Sequence, residues 1–386
     1  MKRVLIILSI VSMGLGFSAF QCASAELTGA KLYINQKQYD KAKESLLKEV
    51  EKNPNSDEGY YLLGFLYGEE GSIMKMIEMY DKSLSISKKY AQGISDSKKY
   101  YWATGFNKGV SFFNSATKAS TPDSQRVFFD KAVRQFEGAI AAQPDSAATY
   151  VNLAYAYLNM QKPDSAVAPL EISLKKEKTP DVYTMLGELY MNKGNKLMDD
   201  YKKSNNVSDS TNATTWYNKS VSLLEEGRKT FPDDSEILLR LSNAYIAADK
   251  LDVAMDAFKA GIEKDPENKY YRYNYGVLLL NAKDYAGAET QFAKAVSLDP
   301  EYTNAIYNLA VTYVRWGTQV REAAEAEGKE DESYKEKFEL ALPHMEKYLE
   351  ANPKEPAVWE LLGKIYANLG KADKSREAFQ KADQYR

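Results

Sequence analysis

Positions 34 residues apart in the second half of this chain carry closely similar side chains. Ala254 and Ala288, Phe258 and Phe292, Pro266 and Pro300, Gly276 and Ala310, and Leu241 and Tyr275 form such pairs. A fixed period of about 20–50 residues marks a repeat architecture, in which each unit buries its apolar face only by stacking on its neighbours. The phrase "AKAVSLDP" at 293–300 has earlier counterparts in "KAGIEKDP" at 259–266 and "EGAIAAQP" at 137–144. Each is a short apolar run leading into a proline.

The spacing inside one unit is helical. In residues 269–302, Tyr275, Gly276 and Leu279 fall on one stripe, and Ala288, Phe292 and Ala295 on a second, after the turn "NAKDY". Offsets of three and four predict two amphipathic helices. Gly276 and Ala288 are where the two can approach closely, and Pro300 ends the second helix.

These residues carry a family resemblance. The chain resembles the tetratricopeptide repeat, whose units carry an aromatic, Leu, Gly or Ala, and Tyr on the first helix, then Ala, Phe, Ala and Pro. Tyr60, Leu63, Gly64 and Tyr67 fit that pattern, as do Tyr150, Leu153, Ala154 and Tyr157. So do Tyr183, Leu186, Gly187 and Tyr190, then Ile306, Leu309, Ala310 and Tyr313, then Trp359, Leu362, Gly363 and Tyr366. The resemblance implies an all-α fold, a right-handed superhelix (α-solenoid) of about nine helix-turn-helix repeats. They read as 23–56, 57–90, 102–146, 147–179, 180–234, 235–268, 269–302, 303–355 and 356–386.

Departures from the pattern carry their own expectations. The first repeat should have a shortened leading helix near 26–36. Three repeats are overlong, with extra residues near 115–128, 195–215 and 318–337 that should project from one rim. The third insertion reads as longer helices, the second as a helix broken by a Ser/Asn/Thr loop. Residues 91–101 should lengthen the leading helix of the third repeat. Pro169 and Pro343 read as tolerated bends near helix starts.

The first 25 residues read as a secretory signal peptide. Lys2 and Arg3 form a positive start, residues 4–17 an apolar run, and Ala23–Ser24–Ala25 a small-residue cleavage site. Residues 26–386 would then be the solenoid, periplasmic or secreted. Cleavage after Ala25 moves the net charge from −3 to −5, because Lys2 and Arg3 leave and no acid does. A second possibility is lipid anchoring through Cys22, although Phe20 and Gln21 fit a lipobox poorly. No transmembrane segment is expected in the mature chain.

Composition argues against catalysis. The chain has one histidine, His344, and one cysteine, Cys22, which leaves with the signal. No catalytic residues, metal ligands or cofactor site are expected, and His344 reads as a surface residue. Lysines and arginines are scattered, so no nucleic-acid footprint is expected.

The resemblance implies a concave groove, lined by the first helices, that binds proteins or peptides. Asn107 and Asn114, Asn152 and Asn159, Asn274 and Asn281, and Asn308 with Arg315 lie seven apart, two helical turns, and share a face. Asparagine suits a peptide backbone because one amide both donates and accepts. Tyr61, Phe65, Phe106, Phe113, Tyr155, Tyr270, Tyr273 and Tyr307 would supply aromatic anchors. The alternative is that these asparagines are structural. The basic residues with which some members grip chaperone tails are not evident. Two functions fit: an exported adaptor for other proteins, or a glycan- or cell-wall-binding accessory protein. Neither partner identity nor oligomeric state is legible.

Overall fold

The tight turns that join the helices of five pairs share one geometry. Lys37, Gly71, Asp249, Lys283 and Gly370 each take a positive φ between 55° and 78°. Around each, the next amide bonds back five residues: Gln38 to Tyr33, Ser72 to Tyr67, Lys250 to Tyr245, Asp284 to Leu279 and Lys371 to Tyr366. This left-handed helix stop satisfies carbonyls that a helix end leaves open.

The computed structural model describes residues 24–329 and 331–386, and the chain divides into two units, one ending at Gln161 and one starting at Lys162. In unit 1, α1 (Ala25–Asn35) pairs with α2 (Tyr39–Lys52), α3 (Asp57–Glu69) with α4 (Ile73–Ile86), and α5 (Ala91–Thr117) with α6 (Pro122–Ala142); α7 (Ala147–Asn159) follows. Unit 2 opens with α8 (Pro163–Lys176). There α9 (Pro180–Ser204) pairs with α10 (Val207–Thr230), α11 (Ser235–Ala247) with α12 (Leu251–Lys264), and α13 (Lys269–Asn281) with α14 (Tyr285–Leu298). The last pairs are α15 (Thr303–Ala326) with α16 (Tyr334–Ala351), and α17 (Pro356–Asn368) with α18 (Ala372–Gln384). The fold is the all-α one that the period implies, and no strand occurs among the described residues.

The register explains the packing. Ala254, Phe258, Ala288 and Phe292 are fully buried. A methyl on Gly276 would sit 2.7 Å from the Phe292 ring, so the close approach of α13 and α14 depends on that glycine. Pro266 and Pro300 lie in exposed loops after α12 and α14.

Two local expectations are corrected. The Ser/Asn/Thr stretch is helix, not loop: only Asn205, left-handed at φ 54°, and Asn206, which caps α10, interrupt the run from α9. Thr211, Thr214 and Thr215 donate their hydroxyls to carbonyls four residues back, so side chains that would compete with the helix are satisfied within it. Pro343 lies mid-helix, ten residues into α16, whereas Pro169 is buried in the second turn of α8. The overlong helices also pack. Ala324, near the end of α15, is buried, and Arg321 donates to Asn368 Oδ1 at 2.6 Å.

Successive pairs are tied by a recurring bond. A first-helix tyrosine donates its hydroxyl to a glutamate on the preceding second helix: Tyr157 to Glu137, Tyr190 to Glu171, Tyr245 to Glu225, Tyr313 to Glu289 and Tyr366 to Glu346. Burial, and then the bond to Glu225 and its charge, holds the Tyr245 hydroxyl protonated far above the usual tyrosine range. Tyr245→Phe is expected to destabilise unit 2 by about 1.5–3 kcal/mol, the range for hydrogen bonds to charged groups. Denaturant melts check this, and a loss under about 0.5 kcal/mol would mean the tyrosine–glutamate bond contributes no more than an ordinary surface contact.

Candidate functional site

First helices adjoin first helices in both units. In unit 1, α5 packs against α3 and α7; in unit 2, α11 packs against α9 and α13, and α13 against α15. This layer carries all the residues singled out for binding, but they divide into two sets.

One set is exposed. Asn107 and Asn114 on α5, Asn159 on α7, and Asn281 and Arg315 in unit 2 are exposed, and Asn152 is half-buried. On α7, Asn152, Tyr155 and Asn159 follow one another at helical spacing, and Tyr155 is the exposed aromatic, 38% accessible. The amides of Asn152, Asn159 and Asn281 each donate to the carbonyl four residues earlier, at 2.9 Å. One amide hydrogen is thus spent inside the helix, which fixes the side chain and leaves Oδ1 as an acceptor for an incoming N–H.

The other set is structural, which corrects the ladder. Asn274 is 1% exposed; its amide donates to the Tyr270 carbonyl at 2.9 Å, and its Oδ1 is buried without a partner. α13 is covered from both sides by α11 and α15, so this position faces its neighbours. Asn308 is half-buried and donates to the Tyr273 hydroxyl at 3.0 Å, joining α15 to α13. Tyr273 is itself buried, packed on Phe292 and Tyr302 with centroids 5.8 and 5.1 Å away, and burial raises its hydroxyl pKa.

Several aromatics are likewise partly committed to the core. Phe106 packs on Phe136 at 6.1 Å and Phe113 on Phe129 at 5.4 Å. Tyr61 stacks on Tyr90 at 4.5 Å, and Phe65 meets Tyr39 edge-on at 6.4 Å. Tyr270 meets Tyr302 at 5.8 Å, and Tyr307 meets Tyr348 at 4.9 Å. Among these residues Tyr155 keeps the most open ring.

His344 is half-buried rather than on the surface, stacked on Tyr313 at 6.1 Å. Burial first, then Lys347, pushes its pKa down, so the neutral ring is the form that packs. Among the described residues no three His, Cys, Asp or Glu side chains are grouped as a metal ion requires. None of the described helices is long and apolar enough to cross a membrane. Residues 1–23, which hold most of the expected signal and Cys22, lie outside the described residues.

The sequence reading missed the tyrosine–glutamate bonds and the bond from Trp102 Nε1 to Thr149 Oγ1, 3.1 Å, that links α5 to α7. Only the first left a signal. Tyr157, Tyr245 and Tyr366 each follow their glutamate by 20 residues.

The chain belongs to the tetratricopeptide-repeat family, whose models match residues 57–90, 128–181, 239–303 and 330–386. It is similar to a BBSome complex member BBS4 homolog of Drosophila melanogaster, 18% identical over 287 residues, covering 74% of this chain and 52% of that one. It is also similar to a peroxisomal targeting signal receptor of Candida albicans, 25% identical over 195 residues, 50% of this chain and 30% of the receptor. The chain therefore spans about half or less of the length of these curated relatives. The crystal structure of yeast Tom70 aligns with a TM-score of 0.37 at 14% identity, covering 94% of this chain and 91% of that one. Tetratricopeptide repeats generally serve as protein-interaction scaffolds.

Proposed function

We propose that this protein is an exported scaffold that holds extended segments of partner proteins on its first-helix layer. The observation that carries the reading is the exposed α7 patch of Asn152, Tyr155 and Asn159, beside Asn107 and Asn114 on the adjoining α5. The rest of the aromatic set is largely taken up by packing, while this patch keeps fixed acceptors and one open ring. Amide acceptors take N–H groups from any peptide backbone, and a tyrosine ring supplies apolar area with little entropy to lose. A similar repeat protein is named as a targeting-signal receptor, which is a precedent for recognising short segments.

Export rests on Lys2, Arg3, the apolar run and Ala23–Ala25. Cleavage after Ala25 would leave Glu26 first and remove Ser24, whose Oγ caps α1 by accepting from the Leu27 amide at 3.0 Å. The expected intact mass is that of a chain starting at Glu26, found outside the cytoplasm. A full-length cytoplasmic chain, or one acylated at Cys22, contradicts export by this route. Crosslinking and capture from the extracytoplasmic fraction is expected to recover a defined protein. Retention on insoluble polysaccharide, with no protein recovered, would favour the glycan-binding alternative and overturn the reading.

A further inference from the structure

Among the described residues Glu49 alone is a charged side chain that the fold encloses, at 2% exposed. It lies late on α2, beneath the first turn of α3, where a methyl on Gly59 would come within 3.1 Å of its Cγ and 2.8 Å of Ser56 Oγ. Ser24 Oγ donates to one carboxylate oxygen, and Asn53 Nδ2 reaches the other at 3.4 Å, a long bond. No lysine or arginine pairs with Glu49 among the described residues. A carboxylate taken out of water is costly unless it is paired and hydrogen-bonded, and here one hydroxyl carries most of that task.

Cleavage after Ala25 takes that hydroxyl away, and with it the cap of α1. Ser24 Oγ accepts from the Leu27 amide at 3.0 Å, and its carbonyl accepts from the Thr28 amide at 3.0 Å. The same Oγ touches both Glu49 and the start of α1, so the carboxylate lies one side chain away from where the cut chain begins. Cleavage makes one new cation there, the α-ammonium of Glu26. A positive charge at a helix N-terminus is disfavoured unless an anion meets it. The other charged groups of this corner are already engaged. The Glu26 carboxylate pairs with Lys52, Lys31 with Glu58 at 2.7 Å, and Lys48 with Glu44 at 2.7 Å, while Asp57 accepts from Ser87 Oγ at 2.5 Å.

We propose that in the mature chain the α-ammonium of Glu26 pairs with Glu49, so that signal cleavage itself supplies the ion pair that seats α1 on α2. The proposal rests on the reading that this chain is exported and cut after Ala25. In the precursor a neutral hydroxyl meets the carboxylate; in the product a cation does, and the charge-assisted bond is the stronger. Leu27 and Ala30 of α1 join Ala42, Leu46 and Leu63 in one buried cluster, so the pair closes the core of the first repeat. Pairing raises the pKa of the amine. Its contribution is therefore complete below the ordinary value of about 7.7–8.0 and is lost as pH rises through the raised one.

The test uses the whole mature chain, Glu26 to Arg386, cut from a fusion so that Glu26 is first, with its mass confirmed. Followed by NMR with isotope-labelled glutamate, the α-amine is expected to titrate at about 9 or above, against an ordinary value of about 7.7–8.0. Glu49→Gln should return it to the ordinary range. A wild-type chain acetylated at the Glu26 amine keeps every side chain, and its α1 amides should exchange hydrogen about tenfold faster or more. In Glu49→Gln the same acetylation should change little, because the two act through one pair. If that variant melts early, the wild-type titration and acetylation decide. An amine that titrates in the ordinary range, or exchange that acetylation leaves unchanged, overturns the pairing and leaves export standing. An exported chain whose mass places its start at another residue overturns the cleavage reading and the pairing together.

Discussion

Phe292→Ala is expected to lower the unfolding free energy of unit 2 by about 3–5 kcal/mol, and Phe258→Ala by a similar amount. Both rings are completely buried, and they hold equivalent places 34 residues apart. Phe292 packs against the bare face of Gly276 and against Tyr273, so its removal leaves a hole that two rigid helices cannot close. Val253→Ala, at a position of α12 that is 54% exposed, should stay within about 0.5 kcal/mol. Urea midpoints at constant slope give the comparison. If the phenylalanine variants lose no more than the valine variant, the 34-residue register does not define the core.

That register was legible because like residues recur 34 apart, Ala254 with Ala288 and Phe258 with Phe292, and because large and small residues face each other within one repeat. A ring at 292 demands a hydrogen at 276, and both are visible as letters in the chain. The helix-stop turns were less visible, since Lys37, Asp249 and Lys283 take a conformation that glycine adopts more readily. The Ser/Asn/Thr stretch misled because intrinsic preference for turns yields when threonine hydroxyls bond back within the helix and Ala213 and Tyr217 are buried against α9.

The site was half legible. Heptad spacing identified residues on one helical face but not which faces a neighbouring helix covers. Asn281 and Asn274 sit two turns apart on α13; the first ends exposed, the second is enclosed where α11 and α15 close in. Likewise Tyr155 and Tyr273 look equivalent in the sequence, yet one ring is open and the other packs on Phe292 and Tyr302. His344 reads as polar, yet it stacks on a tyrosine from the neighbouring helix.

Binding is where the second large effect is expected. Asn107→Ala, Asn114→Ala, Asn152→Ala, Asn159→Ala and Tyr155→Ala together replace four exposed side chains and one half-buried one on α5 and α7, none of them fully buried. Each amide acceptor lost from a desolvated contact leaves a peptide N–H unpaired, at about 1–3 kcal/mol. The combined variant should therefore bind a captured partner at least about a hundredfold more weakly, at about 1.4 kcal/mol per tenfold. Titration calorimetry of that partner against wild type and variant, with their melts recorded alongside, tests the scaffold account most directly. The account predicts an affinity loss of that size at an unchanged melting temperature. Unchanged affinity in a variant that melts like wild type would contradict it.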